Sequence, residues 1–158
     1  MLTITHNIEK QTGFNLIEVM VAVVIFSIGL LGLAGLQQVG LSQNATAMQR
    51  TLATNHIYDM FDRMRNNRTT NYSTIVAGGA PNCVTAACNP SQFASYDKFE
   101  WNLAIANSLP NGVGFITGSP ASYTVYIGWD EKRSGLVPTS CNPATPAGIK
   151  CIAIQGRP

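Results

Sequence analysis

Residues 13–36 read GFNLIEVMVAVVIFSIGLLGLAGL, and the only charged side chain in this stretch is that of Glu18. We call residues 14–36 the apolar segment. About 20 apolar residues are enough to cross the ~30 Å hydrocarbon core of a bilayer as a helix. An ionised carboxylate within that core costs about 3 kcal/mol, so such a group is expected to have a partner and a function. The stretch therefore predicts a membrane-spanning helix with a functional carboxylate near its start.

The order of the parts separates this chain from an ordinary secreted protein. A secretory signal peptide places its apolar core before the cleavage site and is discarded. Here a short polar leader, residues 1–13, comes first, so the apolar segment would stay on the mature chain. The alternative is an ordinary single-pass anchor in which Glu18 has no special role.

The run G-F-N-L-I-E-V-M-V-A that starts at Gly13 resembles the processing motif of the type IV prepilins. The resemblance implies that a prepilin peptidase cuts after Gly13 and methylates the new N-terminal amine of Phe14. It also implies that Glu18 helps to place each subunit in a filament. Membrane lipid, other minor and major pilins and the inner-membrane assembly platform are then the expected partners.

Four further stretches resemble the PilV-type minor pilins within that family. They are SIGLLGLAGLQ, residues 27–37, DMFDRMRNN, residues 59–67, the Leu-Pro-x-Gly turn at residues 109–112, and the strand pattern that ends at Trp129. This resemblance implies a structural subunit that initiates or caps the pilus and so supports adhesion, twitching motility or DNA uptake. It also implies that the leader is cytoplasmic and the rest periplasmic, and later on the cell surface.

Beyond the apolar segment the helix is expected to continue as an amphipathic helix to residue 66, because no proline occurs before Pro81. Its apolar residues recur at helical spacing. They are Leu41, Ala45, Met48, Leu52, Ile57, Met60, Phe61 and Met64. The helix thus covers residues 14–66, and residues 67–158 form a globular head.

The first part of the head is predicted to be a loop up to Ser95. Asp97 and Glu100 have the spacing of a capping box, which predicts a short helix from there to Ser108. The alternative is a strand, because apolar residues alternate from Phe99 to Ile105. We favour the helix.

Strand patterns follow the turn Leu109-Pro110-Asn111-Gly112. Residues 113–117 are rich in strand formers, and residues 123–129 alternate apolar and polar side chains. Residues 130–135 are predicted to form a hairpin turn to a strand at Leu136 and Val137, and residues 149–154 a final strand. These elements predict an α+β fold, with the second half of the long helix on a small antiparallel sheet in a type IV pilin-like roll.

Four cysteines, all beyond the apolar segment, predict disulfides in an oxidising compartment. They are Cys83, Cys88, Cys141 and Cys151. Three connectivities are possible, and we favour the local pairs Cys83–Cys88 and Cys141–Cys151. The alternative is a zinc site, but the spacings lack the usual C-x2-C knuckle.

The sequence gives little support to catalysis or to a cofactor. His56, Asp59 and Asp62 can be drawn as a metal or acid–base cluster, but Asp62 lies about 240° around the helix from His56. We therefore expect no enzyme, no metal site and no cofactor, and we expect local pairs such as Asp59–Arg63.

Charge excludes few partners. Charged residues make up 11% of the chain and the formal net charge is +2. Nucleic acid is not expected as a partner, because no Lys/Arg-rich run is present. Two alternatives to a PilV-type minor pilin stay open: a minor pseudopilin of type II secretion, with the same anchor, and a pilin whose head binds DNA.

Overall fold

The protein has two helices followed by three strands. The structure, a computed structural model, describes residues 13–75, 81–141 and 147–158. The elements are α1 (Leu16–Asn66), α2 (Pro90–Ser108), β1 (Val113–Ser119), β2 (Ser122–Asp130) and β3 (Ile149–Gly156). The strands form one antiparallel sheet in the order β1-β2-β3. The predicted α+β class, a long apolar helix with a small antiparallel sheet, is confirmed.

Contacts divide the chain into two units, Met1–Gln43 and Asn44–Pro158. We call the second the globular unit. In the first, the described residues from Leu16 onward are helical, and their large side chains are exposed, from Leu16 at 76% to Leu36 at 73%. Among the described residues, α1 is the helix that is long and apolar enough to cross a membrane.

Within the globular unit, α1 buries one face against the rest of the core. Its buried residues are Ala53, Ile57, Met60, Phe61 and Met64. The prediction that Ala45 and Met48 belong to this face is wrong, since both side chains are exposed, that of Met48 at 65%. Met48 precedes Ile57 by nine residues, which places the two on opposite sides of the helix at about 100° per residue.

The sheet presents alternate side chains of β2 to this core. Tyr123, Val125, Ile127 and Trp129 are all buried, which confirms the predicted alternation. The indole of Trp129 donates a hydrogen bond to Oε1 of Gln49 on α1 at 3.0 Å. The sheet is therefore tied to α1 by apolar packing and by a polar contact.

The second helix is longer than the sequence predicted. α2 begins at Pro90, with Asn89 as its N-cap and a reciprocal capping box between Asn89 and Gln92. The predicted capping box at Asp97 is wrong, because Asp97 lies inside the helix and its side chain is buried. Asn followed by Pro at the first helical position is the stronger start signal. The helix ends at Ser108, as predicted, and the strand alternative is excluded.

The predicted hairpin at residues 130–135 is also wrong. The Asp130 carboxylate accepts hydrogen bonds from the Ser134 hydroxyl at 3.0 Å and the Gly135 amide at 2.7 Å, and so holds a turn. The chain then crosses a face of the sheet, because a Cβ on Gly128 would lie 2.8 Å from the Pro138 ring. Leu136 and Val137 are therefore outside the strands, and β2 pairs with β1 and β3.

Candidate functional site

The carboxylate of Glu18 lies in the first turn of α1. The amides of Glu18 and Val19 both donate to the Asn15 carbonyl, at 2.9 and 3.4 Å, where the helix begins. An acidic side chain here is favourable, because the first turn carries the positive end of the helix dipole.

Apolar side chains surround this carboxylate. Phe14, Glu18, Ala22 and Phe26 recur every four residues and line one concave strip of α1 with Val19 and Val23. Phe14 is 85% exposed. The strip therefore offers an apolar surface with one negative charge, which suits a partner that brings a positive group and an apolar helix.

Gly13 and Phe14 precede the helix, which starts at Leu16. Among the described residues, other than its chain neighbours, no atom lies within 4 Å of the position of a Cβ on Gly13. The peptide bond between Gly13 and Phe14 lies outside the hydrogen-bonded helix. Residues 1–12, the rest of the predicted leader, lie outside the described residues.

The four cysteines form two bonded pairs in the globular unit. Cys83 and Cys88 have Cα atoms 5.4 Å apart, directly before the N-cap of α2. Cys141 and Cys151 have Cα atoms 5.7 Å apart, and this pair links the segment after β2 to β3. Closing these loops stabilises the fold by about 2 kcal/mol for the smaller loop and about 3 kcal/mol for the larger one.

The three residues His56, Asp59 and Asp62 do not form a cluster. Nε2 of His56 lies 2.8 Å from the Ser108 hydroxyl, within hydrogen-bond distance. Asp59 pairs with Arg63 at 3.0 Å, as predicted, and Asp62 pairs with Arg65 at 2.6 Å. In residues 13–75, 81–141 and 147–158 no group of three His, Cys, Asp or Glu side chains is placed to hold a metal ion.

A buried polar network was missed by the sequence analysis. The Tyr72 hydroxyl donates to Oδ2 of Asp97 at 2.7 Å, and Nη1 of Arg63 lies 3.3 Å from Oδ1 of the same carboxylate. Burial and the hydrogen bond to Asp97 raise the pKa of Tyr72 far above its usual value. The network joins α1, the segment after α1, and α2. Local sequence patterns do not reveal this network, because Asp97 lies 25 residues from Tyr72 and 34 residues from Arg63.

Residues 9–34 match the family model described as the prokaryotic N-terminal methylation motif. The match includes Gly13, Phe14, Glu18 and most of the apolar segment. No curated protein and no solved structure matches the chain significantly.

The motif and the exposed apolar helix support a subunit of the type IV pilin or pseudopilin type. Proteins of this class are structural subunits rather than enzymes. The class fits an inner-membrane anchor, processing by a prepilin peptidase and assembly with other pilins.

Proposed function

We propose that this chain is a minor type IV pilin of the PilV type, which initiates or caps the pilus. It is cut after Gly13, methylated on Phe14 and held in the inner membrane by the apolar segment. The leader faces the cytoplasm and the head the periplasm before the subunit enters the filament. The methylation motif, with Glu18 in the first turn of an exposed apolar helix, supports a pilin-type subunit. The PilV type rests on the resemblance of residues 27–37 and 59–67.

The chemistry of Glu18 explains how cleavage prepares the subunit for assembly. Cutting after Gly13 creates a positive amine on Phe14, four residues before the carboxylate, which is the spacing of about one turn once the helix extends to Phe14. An opposite charge at that range offsets the cost of a carboxylate in lipid. In a filament the amine of the same or of a neighbouring subunit can serve, so the ion pair selects the axial position at which helices dock.

Mass spectrometry of the mature protein tests the processing. We expect a chain that begins at Phe14 and carries one methyl group on its amine. A Gly13→Val variant is the control, because a branched side chain at the cut position should hinder the peptidase, and the variant should keep residues 1–13. An intact leader on the wild-type protein, or a mature protein that lacks the apolar segment, contradicts the proposal.

A minor pseudopilin of type II secretion is the second candidate, because the matched motif does not extend beyond residue 34. Deleting the gene in its native host separates the two. Loss of sheared surface pili with normal protein secretion supports the pilin, and the reverse result supports the pseudopilin.

A further inference from the structure

A pocket of about 310 Å³ opens in the globular unit. It lies where the end of α1, the turn between β1 and β2, and the residues after β3 come together. Neither the methylation motif nor the proposed assembly role uses this part of the molecule.

Two arginines line the pocket from different elements. Arg68 follows α1, Arg157 follows β3, and both side chains are exposed. Among the described residues that line the pocket, none is an aspartate or a glutamate. The side chains that line the pocket therefore carry positive charge, and neither arginine forms an ion pair with a described acidic side chain.

Other arginines of the globular unit behave differently. Arg63 pairs with Asp59 and Asp97, and Arg65 pairs with Asp62. Arg68 instead donates from Nε to the Arg65 carbonyl at 3.2 Å, and neither of its terminal amino groups bonds to a described residue. Arg157 has no ion pair or side-chain hydrogen bond with any residue that the structure describes.

The inner wall of the pocket is rigid. Tyr72 and Tyr123 are both buried, at 0% and 1% exposure. The Tyr123 hydroxyl accepts from the Tyr72 amide at 3.2 Å and lies 3.3 Å from the Thr70 carbonyl. Both phenols are thus engaged inside the protein, and Pro120 adds a stiff apolar edge at the mouth.

We propose that this pocket binds an acidic sugar, with its carboxylate on Arg68 and Arg157. Guanidinium groups bind planar carboxylates by paired, charge-assisted hydrogen bonds. The volume admits one sugar ring, whose C–H face packs on Pro120 and Ala121, which are exposed in the turn between β1 and β2. The inference does not depend on the proposed pilin function, because it concerns the globular unit alone.

Glucuronate is the probe, and glucose is its uncharged match. The full chain in detergent micelles is titrated with each sugar and binding is followed by saturation-transfer NMR on the sugar protons. We expect glucuronate to bind with a Kd of about 1 mM, as suits a ligand of this size in an open pocket. Binding should weaken as salt is raised, and glucose should bind at least tenfold more weakly, about the loss of one charge-assisted contact.

Matched substitutions locate the binding. Arg157→Gln should weaken glucuronate binding about tenfold, and Arg68→Gln by a similar factor. Arg65→Gln is the control, because that side chain is exposed and paired outside the pocket, and it should change the affinity less than twofold.

Three results overturn the proposal. Equal affinity for glucose and glucuronate excludes the anion site. An unchanged affinity in Arg157→Gln, with a thermal midpoint equal to that of the wild type, excludes this pocket. In the third result, a short single-stranded oligonucleotide displaces glucuronate at micromolar concentration and fails to bind either arginine variant. That result assigns the two arginines to nucleic acid instead.

Discussion

At the scale of single residues, Asp97 has a buried carboxylate that is held by two side chains from other parts of the chain. It is 3% exposed and lies between the Tyr72 hydroxyl and the Arg63 guanidinium. Burial lowers the pKa of Arg63, but the hydrogen bonds and charges of Asp59 and Asp97 outweigh burial and raise it. Asp97 and Arg63 therefore stabilise each other's charges. Removing Arg63 or the Tyr72 hydroxyl leaves an oxygen of the buried Asp97 carboxylate without its partner.

Tyr72→Phe tests this network with the smallest change available. The substitution keeps the buried ring and removes only the hydroxyl that donates to Asp97. We expect the free energy of unfolding to fall by about 1–3 kcal/mol, because one buried carboxylate oxygen loses its hydrogen-bond donor. Tyr58→Phe is the matched control, since the Tyr58 ring is 54% exposed. Denaturant unfolding followed by near-UV circular dichroism measures both, and equal stability of the two variants contradicts the role of the network.

Glu18→Leu tests the second single-residue role. The variant should enter the membrane at least as well as the wild type, because it removes the cost of a carboxylate in lipid. Incorporation into pili should fall, since the charge that we propose to guide docking is absent. Glu100→Gln, in the middle of α2, is the control and should assemble normally.

The measurement is the amount of each protein in the membrane fraction and in sheared pili. Equal amounts of Glu18→Leu and wild type in pili would show that Glu18 does not direct assembly. Loss of Glu18→Leu from the membrane fraction would contradict the insertion argument.

At the scale of elements, the sequence predicted those whose pattern is local. β2 was predicted well because Tyr123, Val125, Ile127 and Trp129 alternate without interruption. α1 was predicted because its apolar run has no proline. The start of α2 was missed because Asp97 and Glu100 resemble a cap, while the real cap at Asn89 follows a cysteine loop without a clear pattern.

The segment after β2 shows the limit of local patterns. Residues 130–135 contain the charges and glycine of a hairpin, but the next residues cross the sheet with Pro138 over Gly128. Leu136 and Val137 were predicted to form the strand that follows β2. The strand that pairs with β2 there is instead β3, which starts at Ile149. Strand order is decided by long-range packing, which a single sequence does not display.

The contact between α1 and α2 carries a pH dependence. The Ser108 hydroxyl donates to the Ala104 carbonyl at 2.9 Å, so it accepts from Nε2 of His56. Burial lowers the pKa of His56, the charge of Asp59 raises it, and Arg63 lowers it again, with a net lowering. The folded state therefore favours the neutral imidazole.

We expect the protein to lose stability as the pH falls below about 6.5, the ordinary value for histidine. A lowered pKa in the folded state means that the unfolded chain binds more protons in this range, so stability rises with pH. Thermal midpoints of the processed protein between pH 5 and pH 7.5 measure the effect, and His56→Gln should flatten the slope. A wild-type profile that is flat or of opposite slope contradicts the prediction. The other histidine, His6, is in the proposed leader and would be absent from the processed protein.

At the scale of the whole molecule, a modest core depends on covalent links. The globular unit has one three-stranded sheet, and its outer strand β3 adds the half-buried Ile152 and Ile154 to the core. The Cys141–Cys151 bond ties β3 to the segment that crosses the sheet. The Cys83–Cys88 bond closes a shorter loop before α2, outside the core. The two disulfides therefore support different parts of the fold.

We predict that the two pairs contribute unequally to stability. Replacing Cys141 and Cys151 together by serine should cost about 3 kcal/mol or more, because the larger loop is freed and the outer strand loses its tie. Replacing Cys83 and Cys88 together should cost about 2 kcal/mol or less, since the Asn89 cap still starts α2. Denaturant unfolding of each double variant measures these losses, and peptide mapping without reductant checks the pairing. A peptide that joins Cys88 to Cys141 contradicts the connectivity, and a larger loss in the Cys83 and Cys88 variant contradicts the assignment of the structural role to β3.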